Sequence, residues 1–252
     1  MKKCMAANWK MFKTKNEAVD TIQKLESSMN SDFPSDREVV VFPPFTSISA
    51  VYDTLSYNSK IKIGGQNFYP ASEGAYTGEI SPDMLLDLGC TFALVGHSER
   101  RHIIQESEEI ISQKVDFGIN SGLKIILCIG ETWEERSQAK LEQVLEKQLA
   151  VLKDLNRNNI YSRLEIAYEP VWAIGTGEVA RPGDIQEAHL LVREQLRDIY
   201  PKEAEDMRIL YGGSVKPENT SEIISIDNVD GVLVGGASLD ADKFSQIVKA
   251  AK

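Results

Sequence analysis

Histidine and cysteine are scarce in this 252-residue chain, at three each. His97, His102 and His189 share no helical face, and no HExxH, HxH or paired-cysteine spacing occurs, so no metal site is expected. Cys4, Cys90 and Cys128 form an odd set without CxxC, each in or beside an apolar strand-like run. That pattern predicts buried, reduced thiols in a cytoplasmic protein rather than a disulfide framework. Long apolar runs are also missing. Nothing approaches the ~18 residues of a membrane span, and MKKCMAANWK lacks the apolar core of a secretory leader. Positive charge is in deficit, with 28 Lys and Arg against 38 Asp and Glu, a formal net charge of -10. Such a surface, uninterrupted by any basic run, argues against nucleic acid and anionic membranes as partners. The Gly-Thr-Gly at 175–177 lacks GxGxxG spacing and does not open directly from a strand, so no nicotinamide cofactor is expected.

The chain is otherwise ordinary for a soluble globule, at 42% hydrophobic and 26% charged residues. A chain of this size buries roughly 70 to 75% of its unfolded surface without staples. Short runs rich in Val, Ile and Leu recur at about Lys3 to Asn8, Glu38 to Phe42, Lys60 to Gly64, Thr91 to Val95, Lys124 to Ile129, Arg163 to Tyr168, Arg208 to Tyr211 and Gly231 to Val234. Amphipathic stretches follow them, predicted as helices over Asn16 to Met29, Ser47 to Ser56, Pro82 to Leu88, Gln105 to Ser121, Trp133 to Leu155, Asp184 to Tyr200, Pro217 to Ser225 and Asp242 to Ala251. Strands apolar on both faces and alternating with helices indicate a parallel sheet covered by helices. Eight units of about 31 residues suit a closed eight-stranded parallel β/α barrel better than an open sheet. No linker or low-complexity tract divides the chain, so residues 1 to 252 are read as one domain.

In such a barrel, chemistry gathers at the carboxyl ends of the strands. The most informative segment is AYEPVWAIGTG, from Ala167 to Gly177. It puts the carboxylate of Glu169 at the end of an apolar strand, then Pro170, an apolar middle and glycines. Glu169 is thus a candidate general base, followed by a segment with the make-up of a water-excluding lid. YGGSV and VGGAS set small residues between strand and helix on the seventh and eighth units, where backbone N–H groups can converge on a phosphate. Lys10, ending the first strand beside Asn8, can supply the positive charge that an acidic body lacks, for phosphate and for an oxyanion. His97 in GHSERR stands where a helix begins; a helix N-terminus disfavours imidazolium, so a neutral ring that donates to a carbonyl and relays protons is expected. Cys128 in LCIGET reads as core packing.

AANWK, GHSERR, AYEPVWAIGTG, YGGSV and GVLVGGASL resemble, in order, the motifs of the triosephosphate isomerase family, and GGQNFYPASEGAYTGEISP is similar to its third loop. The resemblance spans essentially the whole chain. It implies a β/α barrel that interconverts dihydroxyacetone phosphate and D-glyceraldehyde 3-phosphate, in glycolysis and gluconeogenesis, without metal or organic cofactor. It further implies Glu169 as base, His97 as electrophile, Asn8 and Lys10 as the substrate-binding pair, and Gly175, Ser214, Gly235 and Gly236 as donors of backbone amides to the phosphate, the family's arrangement of a Glu base, a neutral His and a closing loop. Glu99 would support Lys10 by an ion pair or proton relay. The loop from Glu73 to Glu79 would interdigitate in a homodimer, with Thr77 reaching the partner's site. The phosphate-binding residues alone would also suit another phosphosugar barrel, such as a Schiff-base aldolase or an epimerase, or a barrel that only binds phosphate.

Overall fold

A strand that is apolar on both sides needs cover on both sides, and a sheet closed on itself and ringed by helices provides it. The computed structural model describes residues 1–29, 33–153, 155, 162–174 and 178–250. Its elements run β1 (Lys3–Asn8), α1 (Lys15–Met29), β2 (Arg37–Phe42), α2 (Ile48–Thr54), β3 (Ile61–Gly65), α3 (Pro82–Asp87), β4 (Phe92–Val95), α4 (Ser98–His102), α5 (Glu108–Ser121), β5 (Lys124–Ile129), α6 (Trp133–Ser137), α7 (Leu141–Leu149), β6 (Leu164–Tyr168), α8 (Pro182–Ile199), β7 (Ile209–Tyr211), α9 (Pro217–Ser225), β8 (Gly231–Val234) and α10 (Ala241–Lys249). Each strand pairs in parallel with the next, and β8 closes on β1 with Cys4 opposite Gly231. This is the β/α barrel that the alternating pattern predicts.

Two apolar layers result from the strand pleat. In β5, Ile125, Leu127 and Ile129 pack outward among the helices, whereas Ile126 and Cys128 point into the lumen with Cys4, Val40, Phe42, Phe92 and Leu210. All three cysteines are buried free thiols, and burial pushes the Cys90 thiol up to about 12.

The helix expectations need two corrections. The stretch from Trp133 to Leu155 is not one helix: α6 stops at Ser137 and α7 starts at Leu141, with Ala139 between them in the left-handed region at φ 54. The helix expected from Gln105 begins instead at Glu108, because the Ser107 hydroxyl caps it by accepting from Ile110 N, and Gln105 itself has φ 62. Just before it, α4 forms an additional turn directly behind His97.

Candidate active site

The carboxyl ends of the strands open on a cavity of about 550 Å³ whose lining includes Asn8, Lys10, His97, Glu169, Ser214, Gly235 and Gly236. Gly175 lies outside the described residues, as do Thr176 and Gly177. The other strand-end residues singled out for substrate therefore meet at one mouth. Glu99 stands beside that cavity, at an adjoining one lined by Asn8, Lys10 and His97.

Glu169 is only 2% exposed, yet both of its carboxylate oxygens are engaged. Oε1 lies 2.9 Å from His97 Nε2, and Oε2 accepts from Ser98 N at 2.9 Å. Burial pushes its pKa up, but the His97 charge and hydrogen bond, the Ser98 amide and Lys10 outweigh that and hold it below the usual carboxylate range. Two glycines let it sit there. A Cβ on Gly130 would fall 1.7 Å from the Glu169 carbonyl oxygen, and one on Gly212 would fall 2.8 Å from its Cγ. Neither position tolerates a larger residue without moving the carboxylate.

His97 is the residue before α4, and its Nδ1 accepts from Glu99 N at 3.3 Å. That contact puts the ring proton on Nε2, facing Glu169. The helix end, expected to disfavour imidazolium, is not the largest influence on this ring. Burial lowers its pKa, but Glu169, through charge and hydrogen bond, and then Glu99 reverse the direction, so the net shift is upward. A five-residue helix is a weak dipole beside a carboxylate in contact.

Lys10 takes the left-handed conformation at φ 50, stabilised by Asn8 Oδ1 accepting from its N–H at 3.0 Å and by Gln66 Nε2 donating to its carbonyl at 2.8 Å. Its Nζ lies 2.6 Å from Glu99 Oε1. It also lies 3.9 Å from where a Cβ on Gly235 would stand, so the ammonium flanks the second glycine turn.

Sequence reasoning gave no role to Glu131, which is fully buried. Its Oε1 accepts from Trp172 Nε1 at 2.8 Å and Tyr168 Oη at 3.1 Å, and its carbonyl accepts from Val171 N at 3.1 Å. It therefore anchors the chain leaving Glu169. Its place after β5 made it a strand-end residue, but partners 37 and 41 positions away left no local signal. Arg101 is a second such group: its guanidinium donates to the carbonyls of Gly96 and Cys128 and fixes the turn that carries His97.

At the opposite end of the barrel, Cys4, Glu38 and Glu165 bring their ligand atoms within 4.8 Å of one another. Arg208 binds both carboxylates and Lys62 binds Glu38, so cations already neutralise this trio.

A carboxylate and an imidazole in contact, a lysine beside glycine turns on β7 and β8, and a parallel barrel to carry them define an enzyme of the phosphosugar-handling β/α class. A family described as "Triosephosphate isomerase" matches residues 3–251. Similar proteins under that same name include one from Nitratidesulfovibrio vulgaris strain Miyazaki F, 57% identical over 99% of this chain and 100% of its own length. Another, from Oleidesulfovibrio alaskensis, is 53% identical over 99% of this chain and 100% of its own. One from Thermodesulfovibrio yellowstonii is 47% identical over 98% and 99%. The chain belongs to the triosephosphate isomerase family. It is an isomerase that interconverts dihydroxyacetone phosphate and D-glyceraldehyde 3-phosphate in glycolysis.

Proposed function

We propose that Glu169 carries the proton between the two carbons of the triose phosphate and that His97, Lys10 and Asn8 hold the oxygens between which charge moves. The observation that carries this reading is the 2.9 Å contact of Glu169 with His97 inside the cavity that Lys10 and the two glycine turns share. Glu169 removes a proton from the carbon beside the carbonyl while His97 Nε2–H and the Lys10 ammonium stabilise the oxygen that becomes negative, giving an enediolate. Glu169 then returns the proton to the neighbouring carbon, and the hydroxyl protons exchange through His97. No atom is gained or lost, because the proton taken from one carbon is returned to the other.

The resting contacts also suggest how the base gains strength. His97 and Ser98 stabilise the anion of Glu169, and burial opposes it. When substrate draws the carboxylate away from these partners into the cavity, burial remains and its basicity rises. Ser214, Gly235 and Gly236 take the phosphate, with Lys10 close by. Gly175, in the segment after Glu169, is assigned the same task by the family motif. Glu99 keeps Lys10 oriented, and closure of the segment from Pro170 to Glu178 shields the enediolate from water and from loss of phosphate.

We further propose a homodimer, acting in the cytoplasm, with each chain a single barrel domain. The loop from Glu73 to Glu79 stands exposed, and beside the catalytic cavity lies a second one of about 490 Å³ lined by Met11, Phe45, Ile103, Ile104, Asn8, Lys10, His97 and Glu99. Met11 is 95% exposed and Ile103 72%, an apolar rim that a partner's loop with Thr77 would cover. The same reaction run in reverse serves gluconeogenesis.

The deciding measurement is turnover of Glu169→Gln in a coupled assay with glyceraldehyde 3-phosphate and chelator. A loss of roughly three powers of ten in kcat, with phosphate-analogue affinity little changed, is expected. Undiminished turnover would remove Glu169 from the chemistry.

A further inference from the structure

Arg136, on α6, sits where Trp172 of the loop after Glu169 meets Glu131, which follows β5, and the start of α8. Its Nη1 lies 3.3 Å from Glu131 Oε1, its Nη2 pairs with Asp184 Oδ1, and Glu187 Oε2 is 3.8 Å away. Its guanidinium lies 5.2 Å from the centroid of the Trp172 ring, and the Trp133 ring of the same helix stands 6.4 Å from it between centroids. Glu131 collects Arg136, Trp172 and Tyr168 on Oε1, while its buried Oε2 has no hydrogen-bond partner among the described residues. A buried carboxylate with a single cation at its edge depends on that cation to stay ionised. The far side of the guanidinium reaches the first turn of α8, where Asp184 Oδ2 accepts from Arg181 N at 2.9 Å.

We propose that Arg136 is a positioning residue for the isomerisation: it holds Glu131 as the anion that seats Trp172, and ties that seat through Asp184 to the start of α8. The chain on leaving β6 and the chain on entering α8 are thus fastened to one planar group. Because Ile129 O accepts from Glu169 N at 2.7 Å and Glu131 O from Val171 N, the same loop that Arg136 braces also carries the backbone of the base. This assignment rests on the reading of Glu169 as base.

The pH consequence follows from what faces Glu131: Tyr168 of β6, Trp172, Arg136 of α6 and, behind Arg136, Asp184 and Glu187 of α8. Burial raises the Glu131 pKa, and hydrogen bonds from a backbone amide, Trp172 and Tyr168, together with the Arg136 charge, restrain it. Without the cation, Glu131 protonates at higher pH and gives up part of its acceptor capacity, so Trp172 loses its seat as pH falls.

The test is kcat and KM from pH 5 to 9 for Arg136→Gln, Arg136→Lys, Glu131→Gln and the double variant Glu131→Gln with Arg136→Gln. Arg136→Gln is expected to lower kcat about tenfold at pH 7.5 with KM within about twofold, as for loss of a charged hydrogen bond that positions rather than binds. Its acid limb should move up by about one pH unit. Arg136→Lys should restore the limb but only part of kcat, since it keeps the charge and loses the fork. In the Glu131→Gln background, Arg136→Gln should move the limb no further. A limb of Arg136→Gln that overlays the wild type, or a shift that survives Glu131→Gln, overturns the assignment. Should Arg136→Gln not fold, Arg136→Lys decides: a limb displaced upward despite the retained charge overturns it. Activity retained in Glu169→Gln would instead sink the reading of the base, so the two failures are distinct.

Discussion

His189 makes a buried imidazole into a measurable stability loss. The ring is fully buried in α8, edge-on to Tyr168 at 5.9 Å between centroids and 6.5 Å from Tyr211. Nδ1 faces the Asn228 carbonyl at 2.9 Å, and Nε2 has no hydrogen-bond partner among the described residues. Burial, against a partial offset from Asn228 and with help from the charges of Arg193 and Lys3, lowers its pKa from 6.5 to about 4. The unfolded ring therefore takes up a proton as pH falls through 6.5, and the folded ring does not until about 4. Stability from this group is intact above 6.5, is lost progressively between the two values and falls no further below about 4. The full loss is about 3 kcal/mol, of which about 2 kcal/mol is reached at pH 5. Urea unfolding at fixed protein concentration, at pH 7.5, 6 and 5, would be compared for wild type and His189→Gln, whose amide can still donate to Asn228. The variant lacks the proton, so the wild type should lose about 2 kcal/mol more than it does between pH 7.5 and 5. Parallel curves would mean that the folded ring titrates normally, and the burial argument would be wrong.

Three further outcomes bear on the site and its assembly. Gly212→Ala puts a methyl 2.8 Å from Glu169 Cγ, so kcat should fall at least tenfold while urea stability drops by about 1 to 3 kcal/mol; unchanged kcat would show that the carboxylate needs no such room. Thr77→Asp should yield monomers of low activity by analytical ultracentrifugation, because a charge would enter the apolar cavity at Met11 and Ile103, and intact dimers would refute that interface. Glu99→Gln frees Lys10 from its 2.6 Å partner, so inorganic phosphate should inhibit at lower concentration, and an unchanged inhibition constant would contradict competition between Glu99 and phosphate for that ammonium.

The strands were the legible part of this fold, to within a residue at each end, for a physical reason. Burial on both faces of a parallel strand leaves a continuous run of Val, Ile and Leu that no surface helix shows. Helix ends were harder. The capping box of α6, in which Thr132 and Glu135 satisfy each other's amides, is readable as T-x-x-E. The stop at Ser137 is not, since Gln138, Ala139 and Lys140 carry neither glycine nor proline, yet the exposed Ala139 takes the left-handed conformation at φ 54. Residues that barrel closure alone unites could be grouped from the sequence, as with Asn8, Lys10, His97, Glu169, Ser214, Gly235 and Gly236, which line one cavity at the strand ends. What one strand end does to another lay beyond the sequence. The Ser98 amide on Glu169, 71 positions away, and Arg136 on Asp184, 48 positions away, depend on rotamers and on the pitch of the helices.

An acidic protein that handles a phosphate must keep its positive charge local, and this cavity does so with few cations. Among the described residues, Lys10 and Lys216 are the lysines of its lining, set against Glu169 and Glu178. Lys10 is in turn matched by Glu99, so side chains alone do not make the mouth electropositive. The surplus has to come from backbone amides at the glycine turns, which carry partial positive charge with no counter-ion to displace. Gly236 has open space where a Cβ would stand, leaving the main chain accessible to an anion. The Lys10 pair is the adjustable part. With the Glu99 side chain 43% exposed, water can take up its charge at little cost when a phosphate draws the ammonium inward. Glu169, at 2% exposure, has no such outlet and can leave His97 only for a proton. On the proposed mechanism, the contrast in burial between these two carboxylates separates the one that would release a cation from the one that would perform the chemistry.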